Sequence, residues 1–194
     1  MTMKNKSKDR LSTQRGFSLI ELVVVLGIMM VLSAISVPGI VRSINIYRMN
    51  TTATAFQNLI EVARFNAVRR NSSVSIRQAV VSGQAAYYVD LANGAYVGTD
   101  PVFLVPNYVQ MTPAGAPAAS TSGLTNTVAL GAGCITFNSR GVVDYTTCGG
   151  GVPSVWFISM GSANTNVGFR AITVTPMGQA KVWTAPPSGT WSTM

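Results

Sequence analysis

Twenty consecutive residues without a charge, Leu22 to Val41, constrain this chain more than any other feature. At about 1.5 Å rise per residue the run matches a hydrocarbon core ~30 Å thick, so it reads as a membrane-spanning helix. Five basic residues, Lys4, Lys6, Lys8, Arg10 and Arg15, precede it, whereas only Arg42 and Arg48 follow closely. The positive-inside rule keeps the amino terminus cytoplasmic and exports the rest. A secretory signal peptide has a shorter apolar core followed by a small-residue cleavage site, and "SAISVPGIVRS" offers only a poor one. A plain signal anchor fits the run better but has no use for Glu21, the one ionisable side chain between Arg15 and Arg42. A carboxylate in a bilayer segment is costly and as a rule functional. Ser18 and Glu21 also have the spacing of a capping box, N-cap and N3, which explains the glutamate by helix-end chemistry alone.

Composition narrows the chemistry. The chain has no histidine and two cysteines, which removes His-based triads, bases and metal ligands and leaves too few cysteines for a structural zinc site. The carboxylates after the basic leader are scattered singly, without the spacing of paired acid–base work. No catalytic residue, metal or cofactor is expected, and a membrane-tethered periplasmic enzyme is the weakest reading. The net charge of +8 is concentrated in the amino-terminal third. From Gln78 onward Arg140, Arg170 and Lys181 are balanced by Asp90, Asp100 and Asp144.

Beyond the membrane, Pro38-Gly39 predicts a kink or local melting, or a simple helix end. An apolar stripe then resumes at Phe56, Leu59, Ile60, Ala63 and Ala67, with helical spacing. Arginines 64, 69 and 70 suit the negative end of a helix, and Asn71 reads as its stop. One helix over 17–71 follows, with 17–41 in the membrane, and 72–194 forms an extracytoplasmic β-rich domain. "SVSIRQAV" and "QAAYYVDL" predict a hairpin across Ser-Gly. "PVFLVPNYVQM", "TVAL", "CITFN", "VVDY", "SVWFIS", "FRAITVT" and "QAKVW" predict further strands. "TPAGAPAASTSGLTN" reads as a flexible loop and "APPSGTWSTM" as a loose tail. Cys134 and Cys148 bracket about fifteen residues, and a disulfide there would contribute roughly 3 kcal/mol. Export favours that bond over two reduced, buried thiols.

The junction "RGFSLIELVVVLGIMMVL" resembles the class III leader of type IV pilins and type II secretion pseudopilins. The resemblance implies cleavage by a prepilin peptidase after Gly16, which makes 1–16 a leader, and N-methylation of the new terminus at Phe17. Glu21 matches the glutamate at the fifth mature position. Cleavage creates an α-amino cation at the edge of hydrocarbon, and the Glu21 carboxylate of a neighbouring subunit can neutralise it during filament assembly. Further on, "LIEVARFNAVRRNSSVSIR", "ITFNSRGVV" and "FRAITVTPMGQAKVW" are similar to the GspH/FimT group of pseudopilins and minor pilins. That group implies an α+β, type IV pilin-like fold, its long amino-terminal helix packed on an antiparallel β-sheet domain. It implies a minor subunit of a type IV pilus or type II secretion pseudopilus that primes or tips the filament. The implied partners are the peptidase, other pilins or pseudopilins and inner-membrane lipid. The chain would start in the bacterial inner membrane, amino terminus cytoplasmic and domain periplasmic, before joining the filament.

Some minor pilins of this kind bind DNA through a basic Gly-Arg-x-Arg motif. The matching residues here are Gly178-Gln179-Ala180-Lys181, with both arginines replaced. Arg170 and Lys181 remain candidates for phosphate contacts, with Trp183 as a stacking surface. Against this, the nearly neutral carboxy-terminal half lacks the basic patch of a nucleic-acid binder.

Overall fold

The computed structural model describes residues 17–92, 94–124, 127–129, 134–148, 154–162 and 167–194. The chain divides into two units, Met1–Val41 and Arg42–Met194. Helix α1 runs from Leu19 to Arg70 and passes through Pro38 and Gly39 as helix. The expected melting there does not occur. Proline removes one backbone donor, and the cooperative turns on either side keep the helix together. The helix stops where the backbone changes hand at Asn71, φ 49°. Ser72 N–H donates to the Ala67 carbonyl at 3.2 Å and Asn71 N–H to that of Val68 at 3.2 Å. These two bonds form a Schellman stop with asparagine in the usual glycine position.

In the unit Arg42–Met194, α1 buries Met49, Ala53, Phe56, Ile60, Ala63 and Ala67 completely. The strands are β1 (Val74–Val81), β2 (Gln84–Asp90), β3 (Val102–Leu104), β4 (Val109–Met111), β5 (Thr127–Ala129), β6 (Ile135–Phe137) and β7 (Val143–Asp144), then β8 (Val155–Ser162), β9 (Phe169–Val174), β10 (Ala180–Ala185) and β11 (Ser192–Thr193). A one-turn helix α2, Tyr145–Cys148, follows β7. Two sheets form, ordered β3-β2-β1-β6-β7 and β11-β10-β9-β8-β4. All pairings in both orders are antiparallel, and β5 adds a parallel pairing to the first half of β8. The helix face, Ile76, Val89, Ile135 and Phe137 of the first sheet, and Ile158, Met160, Ile172 and Val174 of the second form one apolar core. Phe56 meets Tyr87 and Phe103 edge to face, at 4.9 and 5.3 Å between centroids.

The hairpin of β1 and β2 forms about Ser82-Gly83, in continuous register from Ser75–Asp90 to Val81–Gln84. "PVFLVPNYVQM" is not one strand. Pro106 has no N–H to give a ladder, and Val109 N–H closes a turn onto its carbonyl at 2.8 Å. The segment therefore splits, β3 joining the first sheet and β4 the second. Nor are the small-residue loop and the tail loose. Trp191 is buried, its Nε1 donates to the Pro117 carbonyl at 3.1 Å, and its ring meets Phe157 edge to face at 5.3 Å. One buried indole thus holds the tail and the loop together over the outer face of the second sheet, where Ala119 and Leu124 also pack.

Candidate functional site

The junction at the head of α1 is built from the first helical turn. Ser18 is the N-cap residue: its carbonyl accepts the Leu22 N–H at 3.1 Å. Leu19 is then the first helical position and Glu21 the third, where a carboxylate meets the positive end of the helix. Phe17 is 79% exposed and Glu21 is exposed as well. Gly16 lies outside the described residues. From Leu19 to Val41 every large apolar side chain is exposed, and this is the one helix among the described residues long and apolar enough to cross a membrane. A soluble core helix buries such a face, so a fully exposed one needs an apolar solvent or partner helices. Phe17 and Glu21 stand four residues apart at the mouth of that apolar length, an exposed aromatic ring and an exposed carboxylate.

The other candidate residues lie in the unit Arg42–Met194. Cys134 is disulfide-bonded, its Sγ 3.8 Å from Thr136 Oγ1. Cys148 ends α2, and its side chain lies outside the described residues. Arg170 and Lys181 do not converge. Lys181 pairs with Thr173 across β10 and β9, and Arg170 is three residues from Thr173, which in a strand means the opposite face. Arg170 points to α1 and is 5% exposed. Its Nε donates to Asn50 Oδ1 at 2.6 Å and its Nη1 to the Phe169 carbonyl at 2.8 Å. Burial lowers its pKa from the ordinary arginine value. A guanidinium enclosed in this way is a core-to-helix clamp and offers no phosphate contact, which removes half of the expected pair. Lys181 is exposed, with Nζ 5.3 Å from the centre of the Trp183 ring, so the ring already holds a cation on that side.

Two contacts of the helix have no counterpart in the sequence reading. Asn50 is the partner of Arg170, a pairing across 120 positions. Arg64 Nε donates to the Gly141 carbonyl at 3.0 Å, and the turn at Gly178 closes on the same point. A Cβ at Gly178 would lie 2.3 Å from the Gly141 oxygen and 3.1 Å from Arg64 Nε. Both glycines have positive φ, 72° and 76°, and each follows a turn-forming Asn or Pro by two or three residues, which was the available sign. Beside this point Glu61, Arg64, Phe65, Val68, Gly178 and Gln179 line a groove of about 450 Å³.

Comparisons with known proteins match residues 11–37 to the family described as the prokaryotic N-terminal methylation motif. The match covers Arg15, Gly16, Phe17, Glu21 and most of the apolar run. No curated protein sequence matches the chain. Among solved structures, the chain is similar to the type IV minor pilin FimU of Pseudomonas aeruginosa, with 13% identity, a TM-score of 0.47, and coverage of 76% of this chain and 95% of that one. It is also similar to the minor pseudopilin EpsH from the type 2 secretion system of Vibrio cholerae, with 12% identity, a TM-score of 0.41, and coverage of 72% and 98%. The chain thus carries the prokaryotic N-terminal methylation motif at the head of a long helix whose later turns pack on antiparallel sheets.

Proposed function

We propose that the chain is a minor pilin or pseudopilin subunit that enters the inner membrane through α1 and joins an extracytoplasmic filament. The observation that carries this is the methylation motif at residues 11–37, coinciding with the first turns of α1, where every large apolar side chain from Leu19 to Val41 is exposed. In this reading a prepilin peptidase removes residues 1–16 by cutting after Gly16, and the Phe17 α-amino group is methylated. Glu21 of one subunit then pairs with the Phe17 ammonium of its neighbour. Each group alone is expensive in hydrocarbon, and the pair is tolerated. The domain 72–194 is periplasmic, and Cys134 pairs with Cys148 in that oxidising compartment.

Intact mass of the chain from its native membrane tests processing. Loss of residues 1–16 and a gain of one methyl group on Phe17 are expected, and an unprocessed chain overturns the proposal. Glu21→Ala should leave cleavage intact and abolish recovery in sheared filaments. Peptide mapping without reduction should recover Cys134 and Cys148 in one linked species, and two alkylated thiols would refute the bond. A DNA-binding role has less support, because Arg170 is enclosed.

A further inference from the structure

We propose that the carboxy-terminal end of α1, with the turns at 138–141 and 175–178, is a docking surface for an acidic segment of a different filament subunit. This rests on the filament reading and adds the chemistry of the neighbour. The groove beside Arg64 has an apolar centre and a cationic rim. Phe65 is 62% exposed, Val68 50% and Met177, next to Gly178, 69%. Exposed aromatic and aliphatic side chains gathered at one place mark an interaction site more often than a solvated surface. Arg69 lies over the Phe65 ring at 5.9 Å, and Arg140 stands in the turn whose Gly141 carbonyl accepts from Arg64. Glu61 is the one carboxylate in the groove, and Gln57 Nε2 lies 3.4 Å from it.

Charge complementarity decides the occupant. A second copy of this chain has little acidic surface to offer, since its one fully exposed carboxylate beyond Arg42, Glu61, lies in the same groove. The unit Arg42–Met194 has four carboxylates, Glu61, Asp90, Asp100 and Asp144. Asp90 is 1% exposed, paired with Arg77 at 2.9 Å and accepting the Gly94 N–H. Asp100 is 7% exposed and accepts the Val97 N–H. Asp144 accepts from both the N–H and the hydroxyl of Thr146. Glu61 already sits in the groove among the arginines. Like copies would therefore meet cation to cation, which disfavours self-pairing. A nucleic acid answers the cations but leaves Phe65, Val68 and Met177 without partners and meets Glu61. A polypeptide with one or two carboxylates flanking an apolar side chain satisfies every feature.

The test replaces Phe65 by a photo-crosslinking phenylalanine analogue in the full chain, expressed in its native bacterium. Irradiation is expected to give an adduct with another pilin or pseudopilin, and the crosslinked peptide should carry Asp or Glu close to the site of attachment. Arg69→Glu with Arg140→Glu should cut the adduct roughly tenfold, since two rim charges turn from attractive to repulsive. Lys181→Glu, outside the groove, should leave it unchanged. An adduct with a second copy, a nuclease-sensitive adduct, an attachment peptide without acidic residues, or an adduct indifferent to the double reversal each overturns the docking proposal. So does the absence of any adduct from a chain that is cleaved after Gly16 and recovered in filaments. A chain that is neither cleaved nor incorporated refutes the filament reading instead.

Discussion

The pairing of Arg170 with Asn50 gives an asymmetric prediction. Arg170 is 5% exposed and Asn50 Oδ1 is the side-chain acceptor for its Nε, at 2.6 Å. Asn50→Ala leaves the buried cation, among the described residues, the Phe169 carbonyl at 2.8 Å. A hydrogen bond to a charged group contributes about 1.5–3 kcal/mol, and stranding a buried charge costs about 3–5 kcal/mol. With one acceptor retained, a loss of about 2–3 kcal/mol is expected for Asn50→Ala. In a domain of this size that lowers the midpoint of thermal unfolding by roughly 5–10 °C. Removing both polar groups, Asn50→Leu with Arg170→Met, substitutes apolar volume for the pair and should cost about 1 kcal/mol or less. The assay is thermal unfolding of the full chain in detergent micelles, followed by near-ultraviolet circular dichroism. If Asn50→Ala unfolded no earlier than the double variant, the buried-charge reasoning would be wrong.

Three more predictions concern the same domain. Gly178→Ala forces a Cβ toward the Gly141 oxygen at positive φ and should cost about 2 kcal/mol or more; Gly123→Ala, with the same φ of 76° but open space, should cost clearly less in the same melts. Trp191→Ala should cost about 3–5 kcal/mol and make the segment 112–124 a preferred site of limited proteolysis, because its Pro117 contact is lost. Burial raises the Tyr87 pKa above its ordinary 10.0, partly offset by the Gln78 hydrogen bond. Its raised folded value means that this stability is present below pH 10.0 and is lost as pH rises through and beyond it, so alkaline unfolding should weaken in Tyr87→Phe.

The parts of this fold legible in the sequence are those whose information is local. The α1 stripe follows a 3.6-residue period, Asn71 punctuates it, and the Ser82-Gly83 hairpin pairs neighbouring segments. The division of 102–111 was hidden, because each half pairs with a strand far along the chain and only Pro106 hinted at the break. Trp191 lies among Pro, Ser and Gly residues that carry no periodic pattern, so its burial follows from a partner, Phe157, on another strand. Arg170 is instructive for the candidate site. Its alternation with Ile172 and Val174 puts it on the core face of β9, a parity that can be counted in the sequence, whereas its acceptor on α1 can only be seen in the fold. At the head of α1 the reverse holds: Phe17 and Glu21 are conspicuous as residues, while among the described residues the fold adds no side-chain contact to either.

The long-range bonds of α1 also order the birth of the domain. Asn50 waits for Arg170 across 120 positions, and Gln57 Nε2 donates to the Ala180 carbonyl across 123. Strands β1 and β2 can cover one side of Phe56 as soon as they emerge, but β8 to β10 arrive only near the end of the chain. Contacts of such separation are slow to form, since a large loop must close before they contribute. The newly made chain therefore passes through a stage with its helix half clothed. During that interval the apolar face of α1 that β8 to β10 will cover is open to any other apolar surface.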